Sequence, residues 1–300
     1  MERKIVFFIN PISGTRDKMA LEKQIIAHCE RHFTTFEILF TSKDGDYSFL
    51  KEKIVKEEIT DIVICGGDGS VGPVVSSLID MPVNVGIIPL GSGNGLARSA
   101  GIPNSVDKAL AIIFTGIPRC IDAFTVNNRL GCQITGFGFD AFVAGEFSKE
   151  RKRGLTTYTK LAIKHFFKAK PYHFEFEIEN KTEKAEAFIF CISNANQFGN
   201  NVKIAPQASL NDGMLDVVIL KKTTKINILI SFVQHVLFSK KNIKPDRVSR
   251  QNNIEYFNAA KVRLINKNLA PVHIDGDPLQ PEKEYLIQIL PSAYKLIHPA

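Results

Sequence analysis

The sequence predicts an α/β domain with a parallel sheet, followed by an all-β domain built as an antiparallel β-sandwich. Two observations predict this fold class. Over about the first 120 residues, apolar strand-like runs alternate with segments of helical periodicity, which favours a parallel sheet covered by helices on both faces. After Arg119 the pattern changes to short strands separated by turns rich in Asn, Gly, Asp and Lys, which is typical of a sandwich or barrel. A chain of 300 residues has room for two ordinary domains.

The first domain is predicted to alternate four strands with four helices. The strands are buried apolar runs, as in KIVFFIN and DIVICGG, and the helices place apolar residues at helical spacing. We expect the strands at 4–10, 33–41, 61–67 and 83–91, and the helices at 17–32, 46–58, 70–79 and 105–116.

The second domain is predicted from short alternating runs such as YHFEFEIEN. Two helical stretches interrupt these runs, near 154–169 and 223–239. A cleft is expected between the two domains, near residue 122. The strands are expected at 172–180, 185–193, 214–220, 261–266, 271–276 and 285–290.

The charge balance predicts an anionic partner. Net charge is +7, and the basic residues cluster in the second half of the chain, starting at Lys149, Lys164, Lys221 and Ser239. Such clusters suit a membrane surface or nucleic acid, or are merely solvated. No recognition-helix pattern and no aromatic ribonucleoprotein motif is present, so nucleic acid is disfavoured.

The chain is predicted to be a cytoplasmic protein without a membrane span. Its longest apolar run, Ile226–Phe238, has 13 residues and holds Asn, Gln and His, whereas a spanning helix needs roughly 18 or more apolar residues. The start of the chain lacks the pattern of a signal peptide. Five scattered cysteines without a CxxC pair predict buried, reduced thiols.

Three glycine-rich loops carry the functional argument. They are NPISG from Asn10, GGDGS from Gly66 and PLGSGNGLAR from Pro89, and each follows an apolar strand. Glycine lets backbone N–H groups approach a bulky anion, and a helix N-terminus adds partial positive charge. Tight strand-to-helix turns also use glycine, so one loop alone would say little. Three loops at successive strand ends predict a cradle for nucleotide phosphates.

These motifs, in this order, resemble those of the diacylglycerol kinase catalytic domain family, which includes bacterial lipid kinases and sphingosine kinases. The resemblance continues through IDAF at Ile121, GFGFDA at Gly136, NDGMLDVVIL at Asn211 and IDGDP at Ile274. It implies an ATP-binding domain at residues 1–122, to which the terminal segment 291–300 returns, and a lipid-binding sandwich at 123–290. It also implies that ATP is lined by Asn10, Ser13, Gly14, Thr41, Gly66, Gly67, Asp68, Gly69, Ser70, Gly91, Ser92 and Asn94.

Carboxylates are expected to perform the chemistry, because phosphoryl transfer to an alcohol requires bound Mg²⁺ and a proton acceptor. The resemblance implies that Asp68 contacts magnesium or the substrate hydroxyl, although an aspartate here could also cap the following helix. It makes Asp277 the candidate general base, where the family usually has the longer Glu. Asp275 is expected to be a turn residue, since DGDP also has the composition of a hairpin turn.

Five further positions follow from the resemblance. It implies that Asp122 and Asp140 lie near the lipid headgroup; the alternative is that backbone amides satisfy them at the edge of the core. It also implies a structural Mg²⁺ held by the Asp212 carboxylate and the carbonyls of Ser209 and Met214. The alternative for this site is a bare Asn-Asp-Gly hairpin turn.

The sequence therefore predicts an ATP- and Mg²⁺-dependent lipid kinase acting on diacylglycerol, a sphingoid base or a related alcohol. Peripheral binding to anionic membranes is expected through Lys149–Arg153 and Lys240–Lys244, with Ile226–Phe238 either interfacial or buried. A homodimer is compatible with this prediction. Two rivals stay open: an NAD kinase-type enzyme, and a nucleotide-binding regulator without turnover.

Overall fold

The computed structural model describes most of the chain as two compact units. One unit comprises residues 1–122 and 292–300, and the other comprises 123–291. The described residues are 2–14, 17–42, 45–151, 154–197, 199, 203–227, 248–251 and 253–300.

The first unit is an α/β structure around a parallel sheet. Its sheet order is β2-β1-β3-β4, and the end of β16 pairs in parallel with β4 through Lys295 and Leu296. The apolar runs are buried along their length, which explains why they form central strands. The strands are β1 Lys4–Ile9, β2 Thr35–Phe40, β3 Asp61–Gly66, β4 Asn84–Pro89, the start of β5 Ile117–Val126 and the end of β16 Glu284–His298.

Helices in this unit bury one apolar stripe each. In the first of them, Leu21, Ile25 and Cys29 recur every fourth residue and face the core, and Asp17 caps its N-terminus by accepting the Met19 N–H. The helices are α1 Lys18–Arg31, α2 Phe49–Glu57, α3 Asp68–Leu78, α4 Gly95–Ser99 and α5 Val106–Thr115.

The second unit is built mainly from antiparallel strands around an aromatic core. Phe137, Phe174, Phe176 and Phe190 are buried and pack edge-on against one another. Large rings contribute most of the apolar area removed from water here. The strands are the end of β5, β6 Arg129–Gly131, β7 Ile134–Gly138, β8 Tyr172–Ile178, β9 Lys181–Ser193, β10 Leu215–Lys221, β11 Val248–Gln251, β12 Ile254–Ala259, β13 Lys261–Asn266, β14 Val272–Ile274, β15 Asp277–Leu279 and the start of β16.

Two pairing series organise this unit. The strands β11-β12-β10-β9-β8-β13-β16 pair in that order, all antiparallel, and β9 also pairs with β7. β7 pairs in turn with β14, which forms a hairpin with β15. Two helices, α6 Phe139–Lys149 and α7 Leu155–Phe166, pack together through the ring pairs Phe139–Phe166 and Phe147–Tyr158.

The predicted fold class is confirmed, with corrections in detail. β5 to β7, the helices α4 and α6, and the strands β11, β12 and β15 were not expected from the sequence. The Asn-Asp-Gly turn before β10 is not a hairpin turn, because the preceding strand, β9, ends at Ser193. Only Ile226 and Asn227 of the apolar run Ile226–Phe238 are described; the remainder, and Lys240–Lys244, lie outside the described residues. Of the helices that are described, none is long and apolar enough to cross a membrane.

The five thiols are all unpaired, and four of them are buried as expected. The exception is Cys120, which is exposed on β5. Burial raises the pKa of the Cys29 thiol to about 11 and raises the pKa of Cys65 further still. These two cysteines therefore remain protonated and act as small apolar groups.

Candidate active site

The carboxyl ends of β1, β3 and β4 meet through backbone hydrogen bonds. The Asn10 N–H donates to the Cys65 carbonyl at 2.9 Å, and the Leu90 N–H donates to the Gly66 carbonyl at 2.8 Å. On the other side of β1, the Thr41 N–H donates to the Ile9 carbonyl at 3.0 Å. Parallel pairing thus brings the three glycine loops and Thr41 to one edge of the sheet, where open α/β sheets bind ligands.

Glycine is required where the second and third loops touch. A Cβ on Gly91 would lie 2.6 Å from the Gly67 Cα, and a Cβ on Gly67 would lie 3.0 Å from the Gly91 Cα. Gly14 has a φ of +64°, and a Cβ there would collide with the Leu90 carbonyl oxygen. These three glycines are thus explained by packing between the loops themselves.

Gly69 is different, because a Cβ at this position would meet no atom within 4 Å. It lies in the first turn of α3, an 11-residue helix whose N-cap is Gly67. Because the first turn of a helix leaves backbone N–H groups without intrahelical partners, open space there can admit an anion. No packing among the described residues of the first unit explains this glycine.

Polar side chains tie the loops together. The Asn10 side chain donates to the Ser70 hydroxyl at 2.8 Å, and the Ser13 hydroxyl donates to the Asn10 carbonyl at 3.1 Å. Asn94 has a left-handed φ of 52° and donates to the Gly91 carbonyl at 2.8 Å. Its side-chain oxygen is buried and accepts no hydrogen bond from any described residue. Among the residues that the structure describes, this buried acceptor oxygen of the cradle therefore has no donor.

Asp68 is the carboxylate of this group. It lies half-buried in the first turn of α3, and its Oδ1 accepts the Leu96 N–H at 3.4 Å. Gly67, not Asp68, is the N-cap of α3. The capping alternative is therefore wrong for this residue, although a negative charge in the first turn still favours the helix.

Most predicted nucleotide residues thus come together in the first unit. Contacts among the described residues join Asn10, Ser13, Gly14, Gly66, Gly67, Asp68, Ser70, Gly91 and Asn94, with Thr41 on the neighbouring strand. Ser92 is exposed within the same loop as Gly91. Their role in binding ATP stays a prediction.

In the second unit, Asp277 begins β15 directly after a two-residue hairpin turn. Ile274 pairs with Asp277, so Asp275 and Gly276 form the turn, with φ values of +50° and +93°. Positive φ at both positions is the mark of a type I′ turn. The hairpin predicted for DGDP is present, and it leaves Asp277 exposed at its start.

Asp275 anchors this turn rather than merely occupying it. Its carboxylate accepts the backbone N–H groups of Cys132, Gln133 and Ile134 at 2.7–2.9 Å. Three such charge-assisted bonds hold the hairpin against the start of β7. Burial, and secondarily this carboxylate, raises the pKa of the Cys132 thiol.

Asp140, in the first turn of α6, is buried against a histidine. Its Oδ2 lies 3.4 Å from Nε2 of His273, which has no exposed surface. The Nδ1 of the same ring accepts the Gly276 N–H at 3.1 Å. The other oxygen of Asp140, Oδ1, is buried and has no hydrogen-bond partner among the described residues.

Asp122 lies in the first unit. It is 2% exposed, and its carboxylate accepts the Ser292 N–H at 2.8 Å. This contact joins β5 to the returning terminal segment and corresponds to the alternative of a carboxylate satisfied by backbone amides. A headgroup role for Asp122 stays a prediction.

The predicted structural magnesium site is a turn before β10. The Asp212 carboxylate accepts the Met214 N–H at 3.1 Å, and the Ser209 hydroxyl donates to the Asn211 side chain at 3.1 Å. Among described residues no group of three His, Cys, Asp or Glu side chains could hold a metal. The predicted set has one carboxylate and two carbonyls, which is oxygen chemistry suited to Mg²⁺. The metal at this turn stays a prediction.

Comparison with known protein families agrees with this geometry. Residues 4–126 match the model described as Diacylglycerol kinase catalytic domain. Residues 133–298 match the model described as YegS C-terminal NAD kinase beta sandwich-like domain. The second model covers more than half of the chain, so the chain belongs to the family with the YegS C-terminal NAD kinase beta sandwich-like domain.

Relatives of this chain carry the names of lipid kinases. The chain is 27% identical to a diacylglycerol kinase of Bacillus subtilis (strain 168), over 92% of this chain and 90% of the relative. It is 29% identical to a protein named Probable lipid kinase YegS from Escherichia coli O6:K15:H31, over 93% and 91%. A crystal structure of a diacylglycerol kinase from Bacillus anthracis str. Sterne shares the fold, with a TM-score of 0.75, 19% identity and coverage of 99% and 97%.

Sequence reasoning missed His273 in this family member. A single histidine in an apolar strand such as PVHIDG is ordinarily a core residue, so the sequence carried no signal for its contact with Asp140.

Proposed function

We propose that this chain is an ATP- and Mg²⁺-dependent lipid kinase that transfers the γ-phosphate to a lipid hydroxyl. The single observation that carries the proposal is the loop cradle of the first unit. Three strand ends meet there backbone to backbone, while Gly69 in the first turn of α3 borders an open space that no packing among the described residues explains. Exposed helix N–H groups beside small residues are a common binding site for phosphate.

The position of Asp68 supports the proposal that the kinase uses magnesium. A carboxylate beside a triphosphate would repel it unless a cation lies between them or the carboxylate binds the substrate hydroxyl. Asp68 offers carboxylate oxygens at the cradle, and the buried Asn94 oxygen has no donor in the described part of the chain. Oxygen donors of this kind fit Mg²⁺, which when bound neutralises charge on the phosphates.

Asp277 is the proposed proton acceptor. The lipid hydroxyl oxygen attacks the γ-phosphorus, its proton passes to the Asp277 carboxylate, and the bond to the ADP oxygen breaks. An exposed carboxylate on a hairpin anchored by Asp275 has both the access and the fixed backbone that this role needs. Asp277 is one methylene shorter than the glutamate that the family usually carries, so the hydroxyl would have to approach closer.

The acceptor is proposed to be diacylglycerol first, with sphingoid bases and related long-chain alcohols as the alternatives. The names of relatives support a lipid acceptor, and the Bacillus subtilis relative is named a diacylglycerol kinase. Two rivals remain to be tested: an NAD kinase-type enzyme, since the second matched model refers to an NAD kinase-like sandwich, and a nucleotide-binding regulator without turnover.

The membrane contact is proposed at α7, on the cytoplasmic side of an anionic bilayer. Ile163 is 62% exposed and Phe167, just after the helix, is 74% exposed. Lys160, Lys164 and Lys168 are exposed beside them, and residues 154–170 contain no Asp or Glu. Apolar side chains flanked by lysines suit the interface of anionic lipid, at roughly 1 kcal/mol per lysine.

Lys149–Arg153, the segment that the sequence predicts to bind the membrane, supports membrane binding less strongly than α7 does. Lys149 forms an ion pair with Glu146 at 2.6 Å, which lowers the pKa of that glutamate and neutralises the lysine charge locally. Lys152 and Arg153 lie outside the described residues. The α7 face is therefore the sharper proposal.

The decisive assay is phosphate transfer from labelled ATP with Mg²⁺ to diacylglycerol, sphingosine, ceramide, undecaprenol and NAD. Wild type, Asp68→Asn, Asp277→Asn and Asp277→Glu are compared. We expect a chloroform-soluble product that both Asn variants reduce by about 100-fold or more and that Asp277→Glu retains. Labelled NADP would establish the first rival instead, and ATP binding without any product would favour the regulator.

Membrane docking has a clean reporter because the chain contains no tryptophan. Phe167→Trp is mixed with vesicles of neutral lipid alone or with added anionic lipid, and its emission is followed. We expect a blue shift that needs anionic lipid and is reversed by salt. Phe33→Trp is the control, because Phe33 of the first unit is also largely exposed. A shift in both variants, or in neither, would contradict docking through α7.

A further inference from the structure

A buried aspartate–histidine pair lies against the hairpin that carries Asp277. Asp140 is 6% exposed and His273 has no exposed surface, and their side chains approach to 3.4 Å. His273 is on β14, and the turn of its hairpin contains Gly276, whose N–H reaches the same imidazole ring. Nothing in the proposed phosphoryl transfer uses this pair, so its burial needs another explanation.

The hydrogen bonds define which nitrogen of His273 carries the proton. Nδ1 accepts the Gly276 N–H at 3.1 Å, so the lone pair is on Nδ1. The proton of the neutral ring is then on Nε2, where it points to Oδ2 of Asp140. The result is a chain of carboxylate, imidazole and backbone amide that ends one residue before Asp277.

The surroundings hold this chain in place. The Thr135 hydroxyl donates to the His273 carbonyl at 2.8 Å. A Cβ on Gly136 would collide with Oδ2 of Asp140 and lie 2.7 Å from Nε2 of His273, so glycine alone leaves room for the pair. The ring is therefore enclosed by β7 on one side and the hairpin on the other, with the Asp140 carboxylate fixing its orientation.

We propose that Asp140 and His273 are positioning residues that act in series on the Gly276 turn, and through it fix the position of Asp277. Asp140 fixes the tautomer and orientation of the His273 ring, and the ring accepts the Gly276 N–H. The turn fixed in this way sets the position of Asp277. This inference rests on the proposed function for the role of Asp277. It differs from a headgroup role for Asp140, which would use that carboxylate directly.

The direct role has one observation in its favour. Oδ1 of Asp140 is buried and has no hydrogen-bond partner among the described residues, so it could accept a substrate hydroxyl. The two roles make opposite kinetic predictions. A residue that contacts the lipid changes KM for the lipid, and its effect multiplies with that of His273. A residue that acts through His273 changes kcat, and its effect disappears once His273 is altered.

The test is a double-mutant cycle on the full chain. Gln places its side-chain amide near the position of Nε2, whereas Asn places its own near Nδ1. We expect Asp140→Ala and His273→Gln each to lower kcat by about 10- to 100-fold, with KM for ATP and lipid changed less than about 2-fold. The double variant is expected to be no slower than either single one. His273→Asn, which keeps an acceptor for Gly276, is expected to recover much of the rate.

Multiplicative losses, or a raised lipid KM in Asp140→Ala alone, would overturn the proposal in favour of direct contact. Equal loss in His273→Asn and His273→Gln would also overturn it. Should Asp140→Ala fail to fold, Asp140→Asn replaces it in the cycle. Asp61→Asn is the control for loss of a buried charge, because Asp61 pairs with Arg3 at the far end of β3; it should lower the melting temperature without changing kcat.

A second measurement does not depend on kinase activity. In long-range ¹H–¹⁵N spectra of histidine-labelled protein, the signals of the His273 ring are identified by their loss in His273→Gln. We expect these signals to show an unprotonated Nδ1 and a protonated Nε2. Asp140→Ala should mix the two tautomers of that ring. A wild-type ring protonated on Nδ1 would refute the chain of contacts whatever the substrate is. Correct tautomers in a chain that phosphorylates no lipid would instead refute the proposed function.

Discussion

The variant Gly69→Ala tests whether position 69 requires glycine for ligand binding or for packing. The added Cβ would meet no atom within 4 Å, and Gly69 lies inside a helix. Alanine favours a helix over glycine by about 0.5–1 kcal/mol, so folding should be unharmed or slightly improved. For a unit of this size that corresponds to a rise in melting temperature of about 1–4 °C.

In contrast to stability, the affinity of Gly69→Ala for ATP should fall. A phosphate oxygen that accepts a backbone N–H lies about 2.9 Å from the nitrogen, which leaves too little room for a methyl group beside it. We expect KM for ATP to rise about 10-fold or more, equivalent to about 1.4 kcal/mol. The assay is an ATP titration of initial rates, with nucleotide-induced thermal stabilisation as a direct measure of binding.

Gly145→Ala is the matched control, because Gly145 lies inside α6 and a Cβ there also meets no atom within 4 Å. It should match Gly69→Ala in stability and the wild type in ATP affinity. An unchanged ATP affinity in Gly69→Ala would refute the assignment of the open space at α3 to phosphate. A loss of stability in Gly69→Ala would show that packing, not a ligand, selects this glycine.

Three further predictions concern stability. Gly91→Ala places a Cβ 2.6 Å from the Gly67 Cα and should lower the free energy of unfolding by about 1–3 kcal/mol in a denaturant titration. Asp275→Asn replaces the carboxylate that accepts three backbone N–H groups. It should lower the free energy of unfolding by about 1.5–3 kcal/mol, seen as a lower melting temperature. Burial and the nearby Arg119 lower the pKa of His298 below its unfolded value of 6.5. The folded protein should therefore lose stability as pH falls below 6.5, because the unfolded chain then binds a proton that the folded chain does not. In thermal melts across this pH range, His298→Gln should lose less stability than the wild type.

The parallel-sheet domain was predictable because its signals are local. An apolar run such as KIVFFI is buried throughout β1, and the glycines that follow the strands mark turns that the backbone can form only without a Cβ. The resemblance then pointed to the loops that the structure brings to one edge of the sheet. The ends of the predicted helices lie within three residues of the observed ends. They differ because apolar periodicity defines the buried face of a helix more precisely than the residues where it begins and ends.

What the sequence could not show were partnerships between distant residues. Asp275 was expected to be a turn residue, and its turn is there, but its contacts with Cys132, Gln133 and Ile134 join positions more than 140 residues apart. The same holds for His273, whose partner Asp140 is 133 residues earlier. Neither propensity nor periodicity carries such information, because both describe only a few neighbouring residues.

The strand β16 has a consequence for how the chain is made. Its first part pairs with β13, while Lys295 and Leu296 add a parallel strand beside β4 in the unit that the N-terminal 122 residues begin. During synthesis the first unit therefore emerges first and is completed last, after the entire second unit has left the ribosome. Until then the outer edge of β4 has no β16 beside it, so the nascent α/β unit presents an open strand edge for as long as the sandwich is being translated.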